Sequence, residues 1–382
     1  MRFMILGAGM QGRACAFDLL RQKGVTEVLL ADASADTLAS AKRFLKSPRA
    51  RFARVDASKP ARVLALAKGR DVLVSCVPYF FNLPLAKAAV KAGVSFVDLG
   101  GSTAIVLKEL ALDKAAKKAG VGVVPDVGLG PGMTNIIAAA AIADLDRADS
   151  VLIRDGGLPQ KPRPPMNYLL TFSEHGLINE YVGEGTALKK GKLVKVMGCS
   201  EVEPIDVPGL GRCEAGHAAG GLSTMAYTFR GKVKELDNKF IRYPGHLGVV
   251  NAMNAMGYFA DAPVRVDGAE VSPRALSAVL FRRHFERPGE KDLVFIRVTA
   301  KGVKGGRKTT VVYEMFDHYD ARNKMTSMMR TTGFPAAIVA RMLADGRIKP
   351  GAHRCETGVP TQEFLKEVAA RGFKLKRRVT AG

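Results

Sequence analysis

Six residues near the start, Gly7-Ala8-Gly9-Met10-Gln11-Gly12, constrain the fold more than any other feature of the chain. The apolar run Phe3-Met4-Ile5-Leu6 leads directly into them and a helix-forming stretch follows. Asp32 stands 20 residues beyond Gly12, at the end of a second apolar run. Strand, glycine turn, helix and acidic residue at this spacing form the fingerprint of a dinucleotide site. Gly7 permits the tight turn, Gly9 lets the backbone approach a pyrophosphate, and Gly12 lets helix lie close on strand. The helix then presents free N–H groups and its positive dipole end to phosphate. Asp32 can accept from both ribose hydroxyls and would repel a 2′-phosphate, so NAD is expected rather than NADP. Met10 and Gln11 complete the turn. Asp56, Val77 and Pro78 follow later strands and join the expected cofactor-binding set.

The alternation continues for about 125 residues. Val28–Ala31, Val72–Val74, Ser95–Val97 and Val121–Val124 read as buried strands. Amphipathic stretches separate them: Arg13–Gln22, Ala35–Leu45, Leu83–Ala92 and Leu107–Ala119. This pattern predicts an α/β fold, a Rossmann-type doubly wound parallel sheet, with the more charged Arg51–Val55 near an edge. After Asp126 the rhythm changes. Gly128–Gly132 predicts a turn, Met133–Asp144 a helix, Ser150–Arg154 a strand, and Gly156–Pro165 a loop. Asp292–Ala300 and Thr309–Phe316, joined by Gly302–Arg307, predict an antiparallel hairpin. Met325–Leu343 reads as helical with an interruption at Gly333–Pro335. The expected divisions are a dinucleotide domain at 1–126, a second α+β domain at 127–330, and C-terminal helices at 331–382.

Apolar residues make up 47% and charged residues 25%, which excludes disordered, collagenous and disulfide-scaffold classes. The five cysteines are scattered and never in CxxC spacing, so no disulfide framework and no metal site is expected. No run approaches the roughly 20 apolar residues of a membrane span, and Gly7, Gly9 and Gly12 interrupt any signal-like segment. The expectation is a reduced, cytoplasmic protein. Lys+Arg 58 against Asp+Glu 36 gives a net +22, spread along the chain except for the run Lys374–Arg378. With no Trp and no aromatics interleaved with basic residues, this charge argues for anionic ligands rather than a nucleic-acid partner.

Ligands of open parallel sheets sit beyond the carboxyl ends of the strands. The loop Ser75–Asn82 should therefore border the nicotinamide, with Pro78 stiffening it. Tyr79 is either a ring-packing and substrate-facing residue or an aromatic plug. Asp98, before Leu99-Gly100-Gly101, points to the same crevice. It could hold an ammonium group or accept a proton, or it could cap the helix expected near Thr103.

These segments together resemble the saccharopine dehydrogenase-like family, most closely its lysine 6-dehydrogenase branch. The resemblance runs over nearly the whole chain. It rests on Gly7–Gly12, Val77-Pro78-Tyr79-Phe80, Val97–Gly101, Pro125–Met133, Asp155–Pro159, Phe172-Ser173, Ser200–Pro204, His217 with Gly220–Thr224, Ile241–His246 and Arg330–Gly333. Where saccharopine reductases carry Asp-Pro-Gly, this chain has Gly130-Pro131-Gly132, which points to the lysine-type branch. The resemblance implies a substrate domain that also dimerises, C-terminal helices packed back on the first domain, and a homodimer or larger homo-oligomer. It further implies NAD-dependent oxidative deamination of a basic amino acid, most closely L-lysine to allysine. A saccharopine- or carboxynorspermidine-type reaction on a secondary amine is the alternative; a silent nucleotide-binding protein is a distant one. Leu222 and Met225 stand where the lysine-type pattern has small or polar residues. Arg242 resembles the family's substrate-carboxylate arginine, or else is a structural ion pair. His217, Asp98 and Tyr79 are the expected catalytic residues. Ser173, Thr224 and His246 join Arg242 as expected substrate-binding residues.

Overall fold

The computed structural model describes all 382 residues, which divide into two compact units. The first comprises residues 1–143, 223–225 and 329–374; the second comprises 144–222, 226–328 and 375–382. The opening segment of the first unit runs on to 143, through the helix that follows the expected boundary at 126. Residues 375–382 belong to the second unit.

The opening stretch alternates strand and helix as its apolar runs dictate: β1 (Arg2–Leu6), α1 (Met10–Leu19), β2 (Glu27–Asp32), α2 (Ala35–Leu45), β3 (Ala50–Arg54), α3 (Pro60–Ala67), β4 (Val72–Ser75), α4 (Asn82–Lys91), β5 (Ser95–Asp98), α5 (Thr103–Leu110), α6 (Asp113–Ala119), β6 (Gly122–Val124) and α7 (Met133–Ala143). Two differences stand out. The amphipathic stretch expected at Leu107–Ala119 is split into α5 and α6, and α3 carries no motif that flagged it.

The chain continues with β7 (Arg147–Pro159), α8 (Glu174–Val182), β8 (Glu184–Lys189), β9 (Lys192–Met197), β10 (Glu203–Val207), β11 (Gly211–His217), α9 (Met225–Phe229), β12 (Glu235–Arg242), α10 (His246–Ala255), β13 (Val264–Val266), β14 (Ala269–Val271), α11 (Pro273–Phe285), β15 (Asp292–Lys304) and β16 (Arg307–His318). It ends with α12 (Ser327–Ala344), β17 (Gly351–Ala352), α13 (Cys355–Gly358), α14 (Thr361–Ala370) and β18 (Lys376–Ala381).

In the first unit seven parallel strands run in the order β17-β6-β5-β4-β1-β2-β3, with the charged β3 at an edge as expected. The direction of strand succession reverses between β1 and β4, so their carboxyl ends open the crevice in which such sheets bind ligands. The second unit holds a nine-stranded mixed sheet whose main path is β10-β11-β12-β7-β15-β16-β18. The expected hairpin is there but longer: β15 and β16 pair up to Lys304 and Arg307, and both turn glycines have positive φ (54° and 75°), as a tight hairpin turn demands. β7 runs on to Pro159 through residues expected as a loop, because β15 pairs with it residue for residue there. The basic run near the C-terminus is an edge strand on β16 rather than a free tail. No helix is long and apolar enough to cross a membrane.

Candidate active site

The glycine turn is built for a phosphate. Gly7 has φ +97°, and a Cβ there would lie 2.6 Å from the Cys76 carbonyl oxygen. A Cβ on Gly12 would lie 1.8 Å from the Gly7 oxygen, so only glycine lets α1 start this close to β1. Gly9 differs from both: nothing lies within 4 Å of where its Cβ would be. It is the N-cap of α1 and no side chain caps that end, so its first N–H groups face the open space. This cradle fits the pyrophosphate of a dinucleotide.

Asp32 shapes the same turn. Its Oδ2 accepts from Ala8 N and its Oδ1 from Ser34 N, both at 2.8 Å. Each carboxylate oxygen keeps a second lone pair for a ribose hydroxyl. Arg54, at the end of β3, donates to the Ala33 carbonyl at 2.9 Å, which brings a cation to the same rim. Asp56 is exposed and accepts from Ser58 N at 2.8 Å, closing the turn after β3. Ser58 hydrogen bonding holds its carboxyl below the usual range. Val77 is half-buried and Pro78 exposed in the loop after β4, ahead of a one-turn helix at Tyr79–Phe81. Met10 and Gln11 open α1.

Beyond the ends of β5 and β6 lies a cluster of buried acids. Asp98, Glu109 and Asp126 are 0%, 0% and 2% exposed. Asp98 Oδ1 accepts from Gly100 N at 2.7 Å and Asp126 N at 3.2 Å. It does not cap α5, whose N-cap is Ser102. Its Oδ2 and both oxygens of Glu109 find no donor, although the two carboxyls face one another. Two carboxyls can share such a contact only if one holds a proton. Burial pushes both up, followed by the charge of Asp126 on Asp98 and of Asp98 on Glu109, so the pair retains a proton at neutral pH. Asp126 adopts a left-handed backbone, φ 59°. Ser223 donates to its Oδ2 while Oδ1 has no partner. Burial raises Asp126 to about 6. The groups acting on Asp126 and Glu109 include no cation. Tyr79 borders this cluster: a Cβ on Gly101 would lie 3.0 Å from its ring. Thr224, next to Ser223, donates to both carboxylate oxygens of Glu356 at 2.9 and 3.0 Å.

The second unit holds the other expected residues. Arg242, the last residue of β12, is 3% exposed. Its guanidinium donates to the Ile241 carbonyl at 2.9 Å and to Glu180 at 3.4 Å. The rings of Phe240, Tyr168 and Tyr181 surround it, centroids 4.4, 5.1 and 5.9 Å from Cζ. Asp155, bonded to Asn238 at 2.7 Å, feels both Glu180 and Arg242, and burial raises it to about 7. His246 bridges the Met166 carbonyl (2.9 Å) and the Tyr181 hydroxyl (2.8 Å). Burial first, then Arg242, lowers it to about 3, so it is neutral, with Nδ1 donating and Nε2 accepting. His217, 1% exposed, reaches Glu201 at 3.3 Å with Nε2, and its Nδ1 has no partner. Burial holds it below the usual histidine range. Ser173 is the N-cap of α8 and accepts from Gly176 N at 3.4 Å.

The sequence reading missed Glu109, Asp126, Ser223 and Glu356. Asp126 and Ser223 lay inside or beside motifs already singled out. Glu109 had no local signal, since an acid on an amphipathic helix usually faces water.

Two family models cover nearly the whole chain. One described as the saccharopine dehydrogenase NADP binding domain matches residues 3–124; one described as the saccharopine dehydrogenase C-terminal domain matches 128–373. The mitochondrial alpha-aminoadipic semialdehyde synthase of Mus musculus is 24% identical over 359 residues, covering 76% of this chain but 38% of that protein. The chain therefore spans well under two thirds of that relative's length. Carboxyaminopropylagmatine dehydrogenase of a Synechocystis species is 24% identical over 372 residues, covering 91% of this chain and 90% of the relative. The apo structure of saccharopine dehydrogenase (L-Glu forming) from Saccharomyces cerevisiae superposes with a TM-score of 0.79 over 100% of both chains at 19% identity, which shows the shared fold.

Proposed function

The chain belongs to the saccharopine dehydrogenase family, and on that premise we propose that it oxidises the carbon of a C–N bond in an amino-acid-derived amine. A nicotinamide dinucleotide would supply the hydride acceptor when bound. The substrate proposed first is L-lysine, its terminal amine leaving as ammonia. The remaining allysine would close to piperideine-6-carboxylate. NAD is the dinucleotide proposed, on the strength of Asp32.

The observation that carries this reading is the buried acid cluster with no cation of its own. Hydride can leave a carbon bearing nitrogen only once that nitrogen is uncharged, yet such amines arrive as ammonium ions. A buried, uncompensated carboxylate attracts an ammonium group and then takes its proton. Asp126 suits this role, being ionised above about pH 6 with Oδ1 unpartnered. Ser223 orients its other oxygen. Asp98 and Glu109, sharing a proton, keep the cluster from accumulating three charges. Tyr79 packs against Gly101 beside the cluster. Water then adds to the imine carbon, and the C–N bond breaks to release ammonia. Arg242 keeps its proposed role as the partner of a substrate carboxylate, in exchange with Glu180.

A second reading is a secondary amine, split or formed as in saccharopine- or carboxynorspermidine-type reactions. The match to carboxyaminopropylagmatine dehydrogenase across 91% of the chain favours it. The test is the appearance of reduced nicotinamide with NAD and, separately, NADP, over a panel headed by L-lysine and including saccharopine. Turnover on lysine with a trapped aldehyde or piperideine supports the first reading. Turnover on secondary amines alone selects the second. Nucleotide binding with no turnover on any amine would overturn both.

A further inference from the structure

We propose that Asp155 binds the α-ammonium group of the substrate, so that the second unit recognises a whole α-amino-acid end rather than a carboxylate alone. This rests on Arg242 partnering a substrate carboxylate. β7 and β12 run parallel with Asp155 opposite Phe240. Alternation puts Asn238 and Arg242, two residues either side of Phe240, on the same face of the sheet as Asp155. Gly221 lies against Asn238 Oδ1, where a Cβ would come within 1.9 Å, and the amide turns its Nδ2 to Asp155 Oδ1 at 2.7 Å. No other group donates to Asp155, so Oδ2 of this buried carboxyl keeps its lone pairs for a ligand. Arg242 is equally incomplete. Its carboxylate partner Glu180 stands at 3.4 Å, where a charge-assisted pair closes to about 2.8 Å, and its buried Nε has no partner.

One cation here faces two acids. Arg242 acts on both Glu180 and Asp155. Arg154, the residue before Asp155 on β7, points to the opposite face and is held by Glu203 and Asp237 at 2.7 and 2.5 Å. Glu214, opposite Arg242 on β11, is taken up by the N–H groups of Gly245 and Leu247 at 3.1 and 2.6 Å. His246 is neutral, and burial keeps the protons on Tyr168 and Tyr181. A ligand bearing only a carboxylate would take Arg242 from Glu180 and leave two acids without a cation. A ligand with an ammonium beside its carboxylate leaves no charge unpaired: the carboxylate meets Arg242, and the ammonium meets Asp155 and Glu180. Burial raises Asp155 to about 7, so a cation is what would keep it ionised. Both groups of an α-amino acid sit on one carbon, which suits an acid and a guanidinium on neighbouring strands about 4.8 Å apart.

The test is calorimetric titration of the full-length protein at neutral pH, with saturating NADH, by L-lysine and by 6-aminohexanoate. The two ligands differ only in the α-ammonium group, and NADH keeps hydride transfer from starting. L-lysine is expected to bind at least about tenfold more tightly. Asp155→Asn matches the shape of the acid and can still accept from Asn238. It should bring the two ligands within about twofold of each other, weakening lysine while sparing 6-aminohexanoate. Equal affinities in the unmodified protein would overturn this inference alone and leave the role of Arg242 standing. So would an Asp155→Asn protein that keeps its full preference for lysine. Binding of neither ligand would overturn the lysine reading, and this inference with it.

Discussion

Gly9 and Gly12 are both glycines of one motif, yet different physical needs keep them. At Gly12 a methyl group would overlap the Gly7 carbonyl, so Gly12→Ala should lower Tm and disturb the fold. At Gly9 the same methyl meets no protein atom. Gly9→Ala should leave Tm within about a degree and weaken dinucleotide binding about tenfold or more, because the methyl occupies phosphate space. Equal effects of the two on Tm would remove the argument that Gly9 is kept for a ligand. Asp126 offers a second contrast. Its carboxyl is pushed up to about 6 by burial, so activity that needs its ionised form should rise as pH passes about 6 and then level off. Asp126→Asn should cost roughly a hundredfold in kcat and erase that limb. Stability runs the other way. The folded state holds this proton more tightly than the unfolded chain, so stability is lost as pH rises from about 4 to about 6, by roughly 3 kcal/mol at most. Denaturant midpoints of Asp126→Asn should lack that part of the decline. For Arg242, the aromatic enclosure and Glu180 predict that Arg242→Met strands a half-buried carboxylate at a cost of up to about 3 kcal/mol, with much of Tm restored by adding Glu180→Gln. A single variant with unchanged Tm would mean the guanidinium is held for a ligand alone.

At the scale of elements, α12 shows how packing overrides local rules. A proline inside a helix costs about 3 kcal/mol, and Gly333-Phe334-Pro335 reads as an interruption. The helix nevertheless continues through it, because Phe334, Ala336, Ala337, Val339 and Ala340 are all buried, 5% exposed or less. Gly333 serves a different end. A Cβ there would lie 2.7 Å from Ala14 Cβ and 2.8 Å from Cys15 N, so the glycine lets α12 lie directly on α1. Gly333→Ala should therefore push on the helix that carries the glycine turn and weaken dinucleotide binding several-fold without touching the ligand. Calorimetric titration with NAD would check this, and unchanged affinity would uncouple the two helices. The C-terminal run 374–378 misled as a solvated tail for a related reason. Basic side chains suit an exposed edge strand as well as a coil, and only the register with β16 distinguishes them.

For the whole molecule the dominant fact is net charge. A chain of +22 repels itself, and salt screens that repulsion. Ion pairs such as Arg371–Asp18 at 2.8 Å are buried and little screened. Tm of the ligand-free protein should therefore rise by a few degrees between about 0.02 and 0.2 M salt. A falling Tm in differential scanning calorimetry would mean that exposed pairs outweigh the repulsion. That α11 leaves Leu276, Val279 and Leu280 exposed is legible only at this scale, since they look like ordinary core residues until the other side of the helix proves already buried.

The sequence by itself determined the doubly wound sheet, the glycine turn and Asp32. Each is specified by neighbours in the chain: periodicity over a strand or helix, and a turn whose glycines contact one another within six residues. The acid cluster was decided by tertiary structure alone. Asp98, Glu109, Asp126 and Ser223 come from separate parts of the chain, and what raises the proton affinity of the three acids is loss of water and mutual proximity. Neither is a property of any segment. Burial separates an acid that holds a proton from one that merely solvates a helix, and burial is settled only when the whole chain has closed around it.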